Sequence, residues 1–140
     1  MFPPDTRVLV VDDMATMRKL VKKQLIDCGM TKVTEADDGD TAWTKIEQAI
    51  EINAPFQLII SDWNMPRTKG IQLLKRVRSN SKMKDVPFVM LTAENEKDNV
   101  TEAIAARVSS YLIKPFTADV FKEKLKAVFN ATNKTATKAA

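Results

Sequence analysis

Apolar residues fall in five short runs along this chain, and the stretches between them carry apolar positions three or four apart. The runs lie at about 7–11, 33–36, 57–61, 87–91 and 110–113, and the periodic stretches at about 14–28, 40–52, 70–79, 96–106 and 117–129. Strict alternation of strand and helix predicts a doubly wound α/β fold: a five-stranded parallel sheet with right-handed crossovers and five helices on its two faces. Leu9-Val10-Val11 and Leu58-Ile59-Ile60 lack polar alternation, as strands covered on both faces should. Phe121, Leu125 and Val128 recur at helical spacing and form one stripe for burial. Gly29 suits a left-handed cap, Gly39 and Gly70 stand where loops meet helices, and Thr117 can N-cap the last helix.

The 140 residues suffice for one domain, expected over 1–129. The remainder, NATNKTATKAA at 130–140, is small and polar, and a frayed, disordered tail is expected there. No apolar run could span a bilayer and no secretion signal stands at the N-terminus, so a cytoplasmic address without membrane attachment is expected. Cys28 is the only cysteine, which excludes an internal disulfide, and Met14, Met17, Val21 and Leu25 place it on a core-facing stripe. The net charge of +4 raises the question of nucleic acid, but the basic residues read as dispersed solvated positions and no nucleic-acid partner is expected. With no histidine, the chain is neither a phosphohistidine carrier, a Ser-His hydrolase nor a His-ligated zinc enzyme.

Candidate chemistry sits at the ends of the runs. Asp12 and Asp13 follow the first, Asp62 the third, Thr92 the fourth and Lys114 the fifth. In a parallel sheet these ends share one edge, where open α/β folds bind ligands. Three carboxylates within roughly 4–5 Å repel by several kcal/mol at an effective dielectric near 20, so they call for a cation or raised pKa values. Magnesium suits such a site because it accepts one or two carboxylates, keeps water and leaves room for phosphate oxygens. Asp62, alone at the end of the central run, is the candidate nucleophile for an incoming phosphoryl group; Asp12 and Asp13 are the candidate metal holders. Thr92 and Lys114 can each engage a phosphoryl oxygen. Each piece also has a plain structural reading. The Asp pair reads equally as a helix N-cap, Thr92 as a helix-start residue and Lys114-Pro115 as a turn.

The segments VLVVDDMATMRKLV, ISDWNMP, VMLTAE and YLIKPF resemble the receiver domain of response regulators, in particular its single-domain chemotaxis members, over about residues 5–129. The resemblance implies the strand order 2-1-3-4-5 of flavodoxin-like folds. It implies phosphorylation at Asp62, magnesium held by Asp12, Asp13, Asp62 and the Asn64 carbonyl, and a switch formed by Thr92, Lys114 and Tyr111. Lys114-Pro115 matches a peptide that is usually cis in the family, and Asn64 and Glu94 match positions that tune hydrolysis of the aspartyl phosphate. The implied partner surface is Lys97, Val100, Ile104, Tyr111 and Lys124, with Val100 and Ile104 as an apolar ridge; the plain alternative is that both face the core. Implied partners are a CheA-like histidine kinase as donor, a flagellar motor switch protein as target and a CheZ-type or other phosphatase, with the chain itself monomeric. Motor control competes with two other family roles, a phosphorelay shuttle and a phosphate sink. A magnesium-dependent aspartyl phosphatase is disfavoured because its Asp-x-Asp should follow the first strand, whereas Asp38-Gly39-Asp40 follows the second and reads as a turn with a helix cap.

Two departures from the family pattern stand out. Arg107-Val108 replaces Gly-Ala in the turn before the last strand, so either Arg107 takes positive φ at a cost on the order of 1–2 kcal/mol or the loop changes path. Thr68-Lys69 replaces an apolar-acidic pair before Gly70 and brings a positive charge toward the carboxylates. The segment 51–55, EINAP, reads as extra length remote from the site.

Overall fold

A computed structural model describes residues 1–93 and 97–139, with the side chains of 97–99 and 133–139 outside the description. Among the described residues the elements are β1 (Val8–Val11), α1 (Ala15–Asp27), β2 (Val33–Ala36), α2 (Gly39–Glu51), β3 (Leu58–Asp62), α3 (Gly70–Arg78), β4 (Phe88–Ala93), α4 (Lys97–Ala105), β5 (Ser110–Lys114) and α5 (Ala118–Ala139). All strand pairings are parallel and the order is β2-β1-β3-β4-β5, as the family resemblance implies. The central strands β1 and β3 are buried along their whole length, which accounts for their unbroken apolar runs.

The sheet divides the core in two. On one face Leu9, Ile59, Phe88 and Met90 pack with Trp43 and Ile46 of α2 and Leu73, Leu74 and Val77 of α3. On the other, Val8, Val10, Ile60 and Leu91 pack with Val21 and Leu25 of α1 and with the stripe Phe121, Leu125 and Val128 of α5. Full burial of one such side chain contributes about 1.5–3 kcal/mol.

The punctuation follows the backbone chemistry. Gly29 has φ +93° just past α1, a conformation that costs an L side chain strain. Asp38 caps α2 by accepting from the Thr41 amide at 2.7 Å, and Thr117 accepts from the Val120 amide at 3.2 Å at the start of α5. The Asp12-Asp13 pair does not cap α1. Its N-cap is Met14, without a side-chain bond, which removes the plain reading of that pair.

Three places bear on the sequence expectations in detail. Helix α5 carries helical backbone through residues 130–139, the stretch expected to be a frayed tail, and Thr132 Oγ1 donates back to the Val128 carbonyl at 2.9 Å. Cys28 lies just beyond α1 and is only half-buried, while Met14 is 55% exposed, so the stripe that reaches the core narrows to Val21 and Leu25 with Met17 at its margin. Arg107 takes φ +65°, the first of the two routes open to it. That conformation is held because Arg78 Nε donates to the Arg107 carbonyl at 3.0 Å, while Arg78 Nη1 donates to the Lys84 and Val86 carbonyls at 3.1 and 2.6 Å.

Candidate phosphoacceptor and metal site

The carboxyl ends of β1, β3 and β5 bring Asp12, Asp62 and Lys114 together. Lys114 Nζ lies 2.8 Å from Asp62 Oδ1 and 3.4 Å from Asp12 Oδ2, a pair of contacts spanning 52 and 102 residues of sequence. Asp12 is fully buried and Asp62 is 6% exposed, whereas Asp13 faces solvent. One oxygen from each of the three carboxylates falls within 4.8 Å of the others.

Main-chain amides fix the two buried carboxylates. Met14 N donates to Asp12 Oδ1 at 2.9 Å, and Trp63 N donates to Asp62 Oδ1 at 2.9 Å while also reaching the Leu91 carbonyl at 2.9 Å. Helix α3 is pressed against the acceptor's backbone: a Cβ on Gly70 would lie 2.2 Å from the Asp62 carbonyl oxygen, and Gly70 N donates to Trp63 O at 3.0 Å. Only glycine permits that approach.

Burial pushes the Asp12 carboxyl above its ordinary range; the Met14 amide and Lys114 pull it back without cancelling the effect. Burial likewise raises Asp62, helped by the charge of Asp12 and opposed by Lys114. For Lys114 burial acts downward, but its contacts with Asp62 and Asp12 outweigh it and the ammonium is held above its ordinary value. The pocket thus holds more negative charge than one lysine satisfies. That surplus, together with an all-oxygen donor set, fits a hard divalent cation. Donors on one octahedral magnesium lie at most about 4.2 Å apart, so a 4.8 Å spread needs only a small closure or one bridging water.

Thr92 is buried near the carboxyl end of β4, in register with Ile113, and not at a helix start. Tyr111 is half-buried on β5, and Lys124 Nζ stands 5.2 Å from its ring centroid. Val100 is partly exposed and Ile104 is 61% exposed, so the α4 ridge does not face the core. Lys97 opens α4, Asn64 is exposed two residues after the acceptor, and Glu94 lies outside the described residues. Lys114-Pro115 is cis.

Sequence reasoning passed over Arg18. Its Nη1 donates to the Asp12 carbonyl at 2.6 Å and its Nε pairs with Glu35 at 3.3 Å, bracing the peptide that presents Asp12 and Asp13. No spacing rule signals this contact, because it depends on how α1 rests on β2.

A buried carboxylate, a lysine across the sheet edge and two further carboxylates at the carboxyl ends of parallel strands form the acidic cluster of this fold, and comparison with known proteins gives the family. Residues 8–126 match the response regulator receiver domain, and the chain belongs to that family. Within it the resemblance is to chemotaxis regulators of the CheY type. Chemotaxis protein CheY of Pseudomonas aeruginosa is 42% identical over 127 residues, covering 91% of this chain and 98% of that protein. Chemotaxis protein CheY1 of Helicobacter pylori is 42% identical with 91% and 99% covered. The structure of Vibrio cholerae chemotaxis protein CheY4 superposes with a TM-score of 0.78 at 35% identity, covering 89% of this chain and 98% of that one. No helix among the described residues is long and apolar enough to cross a membrane.

Proposed function

We propose that this chain is a phosphorylation-controlled binding switch, taking a phosphoryl group from a partner's phosphohistidine onto Asp62. The observation that carries this reading is the Asp62–Lys114–Asp12 cluster at the carboxyl edge of the sheet. Both polar contacts of Asp62 among the described residues fall on Oδ1, which leaves Oδ2 for the attack. In the transfer the N–P bond to the donor histidine breaks and an O–P bond to Asp62 forms. Since the chain has no histidine, the donor is a separate kinase. Asp12, Asp13, Asp62 and the Asn64 carbonyl would hold a magnesium ion, which would supply charge neutralisation for the transferring group. Lys114 then exchanges its contact with the carboxylate for one with a phosphoryl oxygen, and Thr92 donates its hydroxyl to another. Hydrolysis is tuned from Asn64 and Glu94.

The output is a contact surface of α4, β5 and α5. Ile104 with Val100 forms the apolar part, and Lys97, Tyr111 and Lys124 the polar rim. A flagellar motor switch protein is the target that the chemotaxis relatives favour, with a CheA-like kinase upstream and a phosphatase of CheZ or other type ending the signal. An N-terminal peptide of a motor switch protein tests this output. It should bind more tightly after treatment with a phosphoryl mimic and magnesium, and the gain should vanish in Asp62→Asn. Equal binding with and without the mimic would overturn the motor assignment.

A further inference from the structure

We propose that Arg67 is a positioning residue for the metal half of the site, locking the β3–α3 loop to the start of α2 through Asp38. The inference rests on the reading of Asn64 as a metal ligand, since Asn64 lies in that loop. Arg67 Nη2 pairs with Asp38 Oδ2, and the Asp38 carboxylate is buried at 1% exposure while its other oxygen caps α2 at the Thr41 amide. Main-chain bonding at Thr41 holds the Asp38 carboxyl below its ordinary range, and Arg67 adds to that effect. The lowered Asp38 carboxyl favours its charged form, and the partly exposed Arg67 guanidinium is the cation that answers it.

Three further contacts make the junction a lock. Thr68 Oγ1 donates to Asp40 Oδ1 at 2.5 Å, and a Cβ on Gly39 would meet Thr68 Cγ2 at 2.6 Å, so the two loops touch with no spare room. Arg67 itself sits at φ +67°, a left-handed conformation that an L residue holds only when its surroundings impose it. At the far end of the loop Gly70 N is tied to Trp63 O at 3.0 Å. The segment carrying Asn64 is thus fixed at Trp63 by the strand and at Arg67–Thr68 by α2. This gives the Asp38-Gly39-Asp40 motif a task beyond capping, and gives Thr68 one at its departure from the family pattern.

The sign of the effect separates this role from simple electrostatics. Arg67 is a cation near an anionic pocket, so removing it by charge alone would tighten magnesium binding. Releasing the loop would weaken binding instead. Magnesium titration followed by Trp63 fluorescence, on folded proteins matched by circular dichroism melts, decides between them. Arg67→Ala should raise the magnesium Kd on the order of tenfold, as loss of an outer-shell support does. Arg67→Lys, which keeps a donor for Asp38, should return most of that loss. Phosphorylation by a small-molecule donor should be slow in Arg67→Ala at low magnesium and recover at saturating magnesium, since the lesion lies in binding. Thr68→Val, which removes only the Asp40 contact, should weaken binding in the same direction by less. An Arg67→Ala Kd equal to or below that of the unaltered protein would overturn the proposal, as would Arg67→Lys behaving like Arg67→Ala. If the unaltered protein binds no magnesium, the phosphoacceptor reading itself fails.

Discussion

Asp12 and Asp62 sit at the carboxyl ends of strands with their charges out of water, and the consequence for stability has a definite sign. Because the folded protein holds both carboxyls above the ordinary value of 3.8, their favourable contribution exists below that pH and is lost as pH rises through the raised folded values. At neutral pH the two metal-free carboxylates therefore oppose folding while the raised Lys114 favours it, and a neutral isostere of the fully buried Asp12 relieves the unfavourable part. Asp12→Asn should raise the melting temperature at pH 7 without metal by a few degrees and abolish the further rise that magnesium gives; a lower melting temperature would contradict this. Asp38 has the opposite sign: its lowered carboxyl contributes stability above pH 3.8 that is lost as pH falls through the folded value. The meeting of Asp12, Asp13, Asp62 and Lys114 was legible in the sequence because strand termini in a parallel sheet converge, so residues of β1, β3 and β5 had one predictable meeting place. Arg18 and the Arg67–Asp38 pair were not, since each joins a loop or helix to another by packing that leaves no periodic trace.

At the level of elements, α3 does more than cover the sheet. Its last residue, Arg78, is half-buried and donates to the carbonyls of Lys84, Val86 and Arg107, gathering the start of β4 and the turn into β5 around one guanidinium. Arg78→Ala leaves those carbonyls without their donor and should cost about 2–3 kcal/mol in denaturant unfolding, while Arg78→Lys, lacking the fork, should recover only part. The same cradle bears on Arg107. Arg107→Gly keeps the carbonyl that Arg78 uses and removes the left-handed strain at φ +65°, so it should be neutral or stabilising by up to about 1 kcal/mol in the same assay. A loss of stability would show that the Arg107 side chain, whose Nη2 lies 3.4 Å from the Arg78 carbonyl, matters more than its backbone. The alternation of elements and their boundaries followed from the apolar pattern to within a residue or two, except in α5. There the helical backbone runs on past Phe129, where the sequence offers no apolar stripe to mark it.

Across the whole molecule the charge is less evenly spread than its small net value suggests. From Arg67 to Lys84 the chain carries Arg67, Lys69, Lys75, Arg76, Arg78, Lys82 and Lys84 and no acidic residue, and acidic residues of other elements answer two of them, Asp38 at Arg67 and Glu102 at Lys75. Exposed Lys69 lies at the pocket end of that segment, and Lys69→Asp should tighten magnesium binding about two- to threefold at low salt, shrinking as ionic strength rises toward a Debye length of about 8 Å. Equal affinities at low salt would remove the idea. The parallel sheet and the two-sided core bring Asp12, Asp13, Asp62 and Lys114 to one small acidic edge, and the proposed function is that a phosphoryl group is accepted there and its added charge felt at α4, β5 and α5. Intact mass spectrometry with peptide mapping, after incubation with a small-molecule phosphodonor with and without magnesium, tests that claim most directly. One magnesium-dependent phosphoryl group located on Asp62 and absent from Asp62→Asn is the predicted result; a folded, metal-bound protein that gains none, or gains it elsewhere, would contradict the account.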